Sequence, residues 1–168
     1  MKIAHFGTFD VANYGDLLFP LILEQRLKRL GHEIVHVSPV GGPPVWRDSV
    51  SSTGIADFFS EEWQSCDAFI VGGGNIVHAV PVMTSEYVKD GRTSCLAYPG
   101  LWLTPAIAAR KRGIPLVWNA PGVSTNFNPD LHPSVMKALD VSAYVAVRDV
   151  GSRSLLHTAS PDADVSVV

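Results

Sequence analysis

Apolar residues in this chain fall into short runs separated by glycine, proline and charge, and the runs alternate between two spacings. Lys2 to Gly7 reads as a buried strand. From Asp16 to Leu30 the positions Leu23, Leu27 and Leu30 share one helical face, and Gly31 follows as a stop. Pro20 fits that helix only if it lies close to the first turn. Glu33 to Ser38, with Ile34, Val35 and Val37, carries the β-branched signal of a second strand. Pro39 to Thr53 reads as loop. Residues 55–65 suit a short helix carrying Phe58, Phe59 and Trp63. Asp67 to Val71 is a third strand and runs into Gly72-Gly73-Gly74.

Residues 80–98 show no period. With 40–54 they are expected to be the least ordered internal segments, since both are long and punctuated by Gly and Pro. Beyond them come a helix from Leu101 to Arg112 closed by Gly113, a strand from Ile114 to Asn119, and a short helix from Pro133 to Leu139. A strand from Ala143 to Val147, a helix from Gly151 to Thr158 and a last strand from Val165 to Val168 complete the series. Alternation with short connections predicts right-handed βαβ units. The fold class is therefore α/β: a Rossmann-like three-layer domain with a mainly parallel six-stranded sheet. The expected strand order is 3-2-1-4-5-6, which places Gly73 and His78, after the third strand, on the far side of strand two.

Composition narrows the function classes. The chain has 168 residues, 46% of them hydrophobic and 17% charged, with a formal charge of -3. That length suits one domain, and so low a charge content suggests that some surface is not meant for water. Lys and Arg gather only in the short groups Arg26, Lys28, Arg29 and Arg110, Lys111, Arg112, near helix ends where cations complement the dipole. Nucleic acid is therefore not an expected partner. No apolar stretch approaches the roughly 18 residues of a membrane span, and no signal peptide is visible. The cysteines, Cys66 and Cys95, are too few for a disulfide scaffold and have no close metal-ligand partners. Reduced thiols in a cytoplasm are the expectation, with no metal and no cofactor.

Polar residues and glycines collect where strands end, which is where open parallel sheets bind ligands. After strand one, Asn13 and Gly15 tolerate positive φ, and Asp16 can accept backbone N–H groups or face a hydroxylic ligand at the helix start. This is not the G-x-G-x-x-G pattern, and Asp16 would repel a phosphate set on the helix end, which counts against a dinucleotide. After strand three, Gly72, Gly73, Gly74 and Asn75 serve either tight packing or close approach of a ligand to bare backbone. His78 follows, as a core histidine or a proton carrier. Asn119 ends an apolar strand ahead of Ala120-Pro121-Gly122. Arg148 at the next strand end either pairs with a local carboxylate or holds an anion, while Asp149 or Ser152 starts the following helix.

In this order and at about these spacings, the segments Asn13-Tyr14-Gly15-Asp16, Val71-Gly72-Gly73-Gly74-Asn75, Ala120-Pro121-Gly122-Val123 and Val147-Arg148-Asp149, with Ser152 and Leu155-Leu156, resemble the polysaccharide pyruvyl transferase family. The resemblance implies the N-terminal half of a two-domain, GT-B-like enzyme, residues 1–168, whose C-terminal half lies outside this chain and whose active site is the cleft between the halves. It implies phosphoenolpyruvate as donor and a saccharide acceptor, lipid-linked acceptors included, in the biosynthesis of cell-wall and exopolysaccharides. The family moves the enolpyruvyl group onto two sugar hydroxyls to form a ketal. Asp16, His78 and Arg148 become the expected catalytic residues. Asn13, Gly15, Gly72, Gly73, Gly74, Asn75, Asn119 and Gly122 become the expected substrate-binding residues. One departure stands out: where family members often carry an acidic residue, this chain has Ala79, preceded by His78. A GT-B glycosyltransferase using a nucleotide sugar, and a non-catalytic ligand-binding domain of the same fold, are the alternative readings.

Overall fold

The computed structural model describes residues 1–80, Tyr87 and residues 97–168. Strand β1 spans Lys2–Phe6, and helix α1 spans Tyr14–Arg29. Then come β2 (Glu33–Ser38), the two-residue β3 (Thr53–Gly54), α2 (Ile55–Glu61), a 3-10 turn at Trp63–Ser65 and β4 (Ala68–Gly72). The second half adds α3 (Ala97–Arg112), β5 (Leu116–Asn119), α4 (His132–Asp140), β6 (Tyr144–Val147), α5 (Val150–Ala159) and β7 (Ser166–Val167). The described strands form one sheet in the order β3-β2-β1-β4-β5-β6-β7, with every strand pair parallel.

The α/β class and the parallel sheet expected from the alternation are what the chain adopts; the sheet has seven strands rather than six. The extra strand is Thr53–Gly54, which lies in the segment read as loop and is too short to leave a pattern. It takes the place beside β2 that the sequence reading gave to the strand ending at Val71. That strand, β4, instead pairs directly with β1, Phe6 opposite Val71. Gly73 and His78 therefore do not reach back over strand two. The loops that leave β1 and β4 are neighbours.

Right-handed crossovers decide which face each helix covers. The connection from β1 to β2 runs one way along the sheet, and those from β3 onward run the other way, so α1 lies on one face and α2 to α5 on the opposite one. The core agrees. Ala4, Phe6, Val37, Phe69, Val71, Leu116, Trp118 and Val147 point to one side, where they meet Phe58 of α2, Leu101 and Trp102 of α3, Val135 of α4 and Leu156 of α5. The alternate residues His5 and His36 face α1 and are also buried.

Helix α1 begins two residues earlier than expected, so Pro20 falls past the first turn. Its nitrogen cannot donate to the Asp16 carbonyl, and burial of the Pro20 side chain offsets that loss. Helix α3 likewise starts before Leu101, at Ala97, and carries Pro105 inside. No helix among the described residues is long and apolar enough to cross a membrane. The expected disorder of 80–98 falls mostly outside the described residues. Part of 40–54 is tied down: Gly42 and Ser52 form an antiparallel bridge, and Asp10 Oδ2 accepts from the backbone N–H groups of Val40 (2.8 Å) and Gly41 (3.1 Å).

Candidate active site

Parallel pairing brings the carboxyl ends of β1, β4, β5 and β6 to one edge in that spatial order, since Phe6 lies opposite Val71, Gly72 opposite Asn119, and Asn119 opposite Ala146. The loops leaving these strands are then stitched together. Gly122 N–H donates to the Gly74 carbonyl (2.9 Å), Val77 N–H to the Gly122 carbonyl (3.0 Å), and Arg148 N–H to the Pro121 carbonyl (3.4 Å). A cavity of about 390 Å³ opens between them, lined by Thr8, Asn13, Gly15, Asp16, Phe19, Gly74, Asn75, Tyr98 and Arg148. A hollow of about 520 Å³ lies elsewhere, between α1, β2 and the segment around Ser49–Thr53. Volume does not single out the smaller cavity; the convergence of a carboxylate, a guanidinium and amides at the strand ends does.

Asp16 is fixed from two directions. Thr8 Oγ1 (3.0 Å) and Asn13 Nδ2 (3.1 Å) both donate to its Oδ2. The Asn13 carbonyl-type oxygen in turn accepts from Gly15 N–H at 3.1 Å, capping α1. Oδ1 is turned toward Gly74, where a Cβ would stand only 2.5 Å away. Gly74 also has φ +75°, so glycine is required there twice over, by conformation and by space. Burial raises the Asp16 pKa above its ordinary value, opposed by the Thr8 hydrogen bond, the Arg148 charge and the Asn13 hydrogen bond.

Arg148 leaves the end of β6 half-exposed. Its Nε donates to Asp149 Oδ2 at 2.9 Å, and Asp149 Oδ1 caps α5 by accepting from Ser152 N–H at 2.6 Å. The ion pair and the cavity position are thus both realised in one side chain. Asp149 holds the guanidinium by its Nε edge, and the cavity is lined by the same residue. Gly122 makes room for it: a Cβ there would stand 2.4 Å from Asn75 Oδ1 and 2.8 Å from Arg148 Cζ.

The remaining candidates lie outside the lining of the cavity. Gly72 admits the Asn119 backbone oxygen, 2.5 Å from where its Cβ would be, and Gly73, at φ +87°, lies against Phe19. Neither lines the cavity, nor does Asn119. His78 also is not among the lining residues; its ring packs on that of the lining residue Tyr98, with centroids 4.2 Å apart at a 35° tilt. Its backbone carbonyl accepts from Trp102 Nε1 at 3.3 Å. Burial lowers the His78 pKa, against a hydrogen bond to the Val80 backbone. Its Nδ1 is buried with no hydrogen-bond partner among the described residues.

Three lining residues escaped the sequence reading: Thr8, Phe19 and Tyr98. Thr8 directly follows Gly7 at a strand end, so the rule that picked Asp16 reaches it too. Phe19 lies within an apolar stretch that reads equally well as core, and Tyr98 closes the segment 80–98, which shows no period.

The family model for polysaccharide pyruvyl transferase matches residues 13–168, nearly the whole chain, including the start of α1 and the loops after β4, β5 and β6. No curated protein matches the chain closely enough to count as a relative. With that match over a parallel α/β sheet whose loops converge on one cavity, the chain belongs to the polysaccharide pyruvyl transferase family.

Proposed function

We propose that this chain forms one wall of an active site that transfers the enolpyruvyl group of phosphoenolpyruvate to two hydroxyls of a saccharide, closing a pyruvate ketal and releasing phosphate. The observation that carries the reading is the meeting of the Asp16 carboxylate and the Arg148 guanidinium at a single cavity on the carboxyl edge of the sheet. The reaction needs a cation for an anionic donor and a base for an attacking hydroxyl, and these two residues have that chemistry.

The bond changes balance as follows. A proton is added to the methylene carbon of phosphoenolpyruvate, leaving an oxocarbenium-like centre at the neighbouring carbon. A sugar hydroxyl adds there and loses its proton. The carbon–oxygen bond to phosphate breaks, the second hydroxyl adds and loses its proton, and the ketal closes; of the two hydroxyl protons released, one leaves on phosphate and the other replaces the proton spent on the methylene carbon. Arg148 holds the carboxylate or phosphate of the donor through its Nη groups, with its Nε edge fixed by Asp149. Asp16 accepts the hydroxyl proton; a pKa raised by burial brings it closer to that task. Asn75 and Asn13 orient the acceptor. His78 acts through Tyr98, which it backs, rather than on substrate. The cations still required come from a second, C-terminal half, so the chain alone is expected to be inactive.

The test is an assay of a protein that joins this chain to that C-terminal half, given phosphoenolpyruvate and a panel of free, nucleotide-linked and lipid-linked sugars. Acceptor-dependent phosphate release with a ketal methyl signal by NMR is expected. Consumption of a nucleotide sugar without any release of phosphate from phosphoenolpyruvate would establish glycosyl transfer instead.

A further inference from the structure

Two large aromatic side chains stand in solvent, one of them on the helix start that helps line the cavity. Tyr14 is 66% exposed and Trp46 is 42% exposed, and their ring centroids lie 6.0 Å apart with the rings tilted by 38°. Trp102 and Trp118, by contrast, are fully buried. Tyr14 is the first residue of α1 and lies between Asn13 and Gly15, both of which line the cavity. Trp46 comes from the segment between β2 and β3, and that segment is built to present it. Ser49 Oγ accepts from Trp46 N–H (3.0 Å) and donates to the Trp46 carbonyl (2.9 Å), and Ser49 N–H reaches the same carbonyl at 2.9 Å. Asp10 and the Gly42–Ser52 bridge hold the base of the segment.

We propose that Tyr14 and Trp46 form an aromatic shelf on which the acceptor saccharide lies, with one of its hydroxyls directed at Asp16. This deepens the reading of the site as a pyruvyl transferase and rests on it for the identity of the acceptor. The chemistry suits a sugar. One face of a pyranose presents C–H bonds and is apolar, while its rim is hydroxylic. An exposed aromatic pair covers the first, and Asp16, Asn13 and Asn75 at the neighbouring wall suit the second. A loop pinned by hydrogen bonds holds the ring in place before the sugar arrives, which reduces the ordering cost of binding.

The chain itself is tested by saturation-transfer NMR with methyl β-glucoside, methyl β-galactoside and N-acetylglucosamine as probes. Saturation of the ring C–H protons of at least one probe is expected. It should fall about 3- to 10-fold in Trp46→Ala and in Tyr14→Ala, and persist in Trp46→Phe. In the two-domain protein, Trp46→Ala should raise KM for the acceptor by a similar factor and leave KM for phosphoenolpyruvate in place. Unchanged melting temperatures show that the variants fold. Absence of transfer to every probe, or transfer indifferent to both alanine variants, overturns the shelf. Saturation that depends on Trp46 in a protein that never releases phosphate from phosphoenolpyruvate upholds the shelf and overturns the reaction. Turnover with both alanine variants at wild-type acceptor KM upholds the reaction and overturns the shelf.

Discussion

Asp16 is held by Thr8 and Asn13 on one oxygen and turned toward Gly74 with the other, and burial raises its pKa. A carboxylate whose folded pKa lies above its unfolded value weakens the fold at pH values where it is ionised. Asp16→Asn removes the charge at nearly the same shape, so it should leave the melting temperature unchanged or raise it. If Asp16 is the base, ketal formation should fall by about 10²- to 10⁴-fold in the same variant. A lowered melting temperature with full activity would reduce Asp16 to a helix-start residue. Arg148 makes a second case. Its Nε is committed to Asp149, and only a planar fork can pair there and hold an anion at once. Arg148→Lys should raise KM for phosphoenolpyruvate at least about tenfold with little change in unfolding free energy; steady-state kinetics beside a denaturant titration checks both. Arg148 stands out in the sequence because a charged residue at the end of an apolar strand needs a reason, and Asp16 because it opens a helix after a strand end. Tyr98 does not, because it closes the segment 80–98, whose lack of period places no element there, and its contact with His78 joins residues on separate segments.

Among the elements, the loops after β4 and β5 carry the most specific requirement. Gly74 has φ +75°, and a Cβ on it would meet Asp16 Oδ1 at 2.5 Å. Gly74→Ala should therefore cost about 1–3 kcal/mol of stability. Gly122 has no positive φ, and the atoms nearest its added Cβ belong to the side chains of Asn75 and Arg148 rather than to backbone, so they can shift. Gly122→Ala should cost less stability than Gly74→Ala yet weaken phosphoenolpyruvate binding more, by displacing the guanidinium. Urea unfolding and titration calorimetry on the two variants compare the effects; the opposite ranking would contradict the assigned position of Arg148. The Gly-rich strand end itself was plain in the sequence, since three successive glycines after a buried strand need a compensating role. Its neighbour was not. Strand β3 is two residues long, below the length at which alternation can register, and counting without it moved β4 two places along the sheet. The real order brings Gly74 beside Asp16, closer than the sequence reading allowed.

For the whole molecule, the parallel sheet sets both stability and site. Under α1 lie two buried histidines, His5 and His36, with ring centroids 5.6 Å apart. Burial holds His5 well below its ordinary pKa, helped by repulsion from His36 and opposed by the Gly72 carbonyl. Burial brings His36 down to about 4, opposed by Glu24, which is paired with Lys28 at 2.6 Å. Both are neutral in the fold, so the unfolded chain binds more protons at acid pH. For His36, stability is then complete above the unfolded value near 6.5 and declines from there toward about 4, by up to roughly 1.4 kcal/mol per pH unit, and His5 adds to the decline in the same direction. Urea unfolding across that range should show the decline, and His36→Gln should flatten it; an unchanged slope would show that His36 does not titrate on unfolding. The same sheet gathers Asp16, Gly74, Asn75 and Arg148 at one edge, and the central claim is that the donor binds there. The most direct measurement is a titration of the ¹⁵N-labelled chain with phosphoenolpyruvate, followed through its amide signals. Shifts concentrated in 13–16, 72–75, 120–122 and 148–152, abolished in Arg148→Ala, are the expected result. Shifts centred on another face, or a pattern that Arg148→Ala leaves intact, would contradict it.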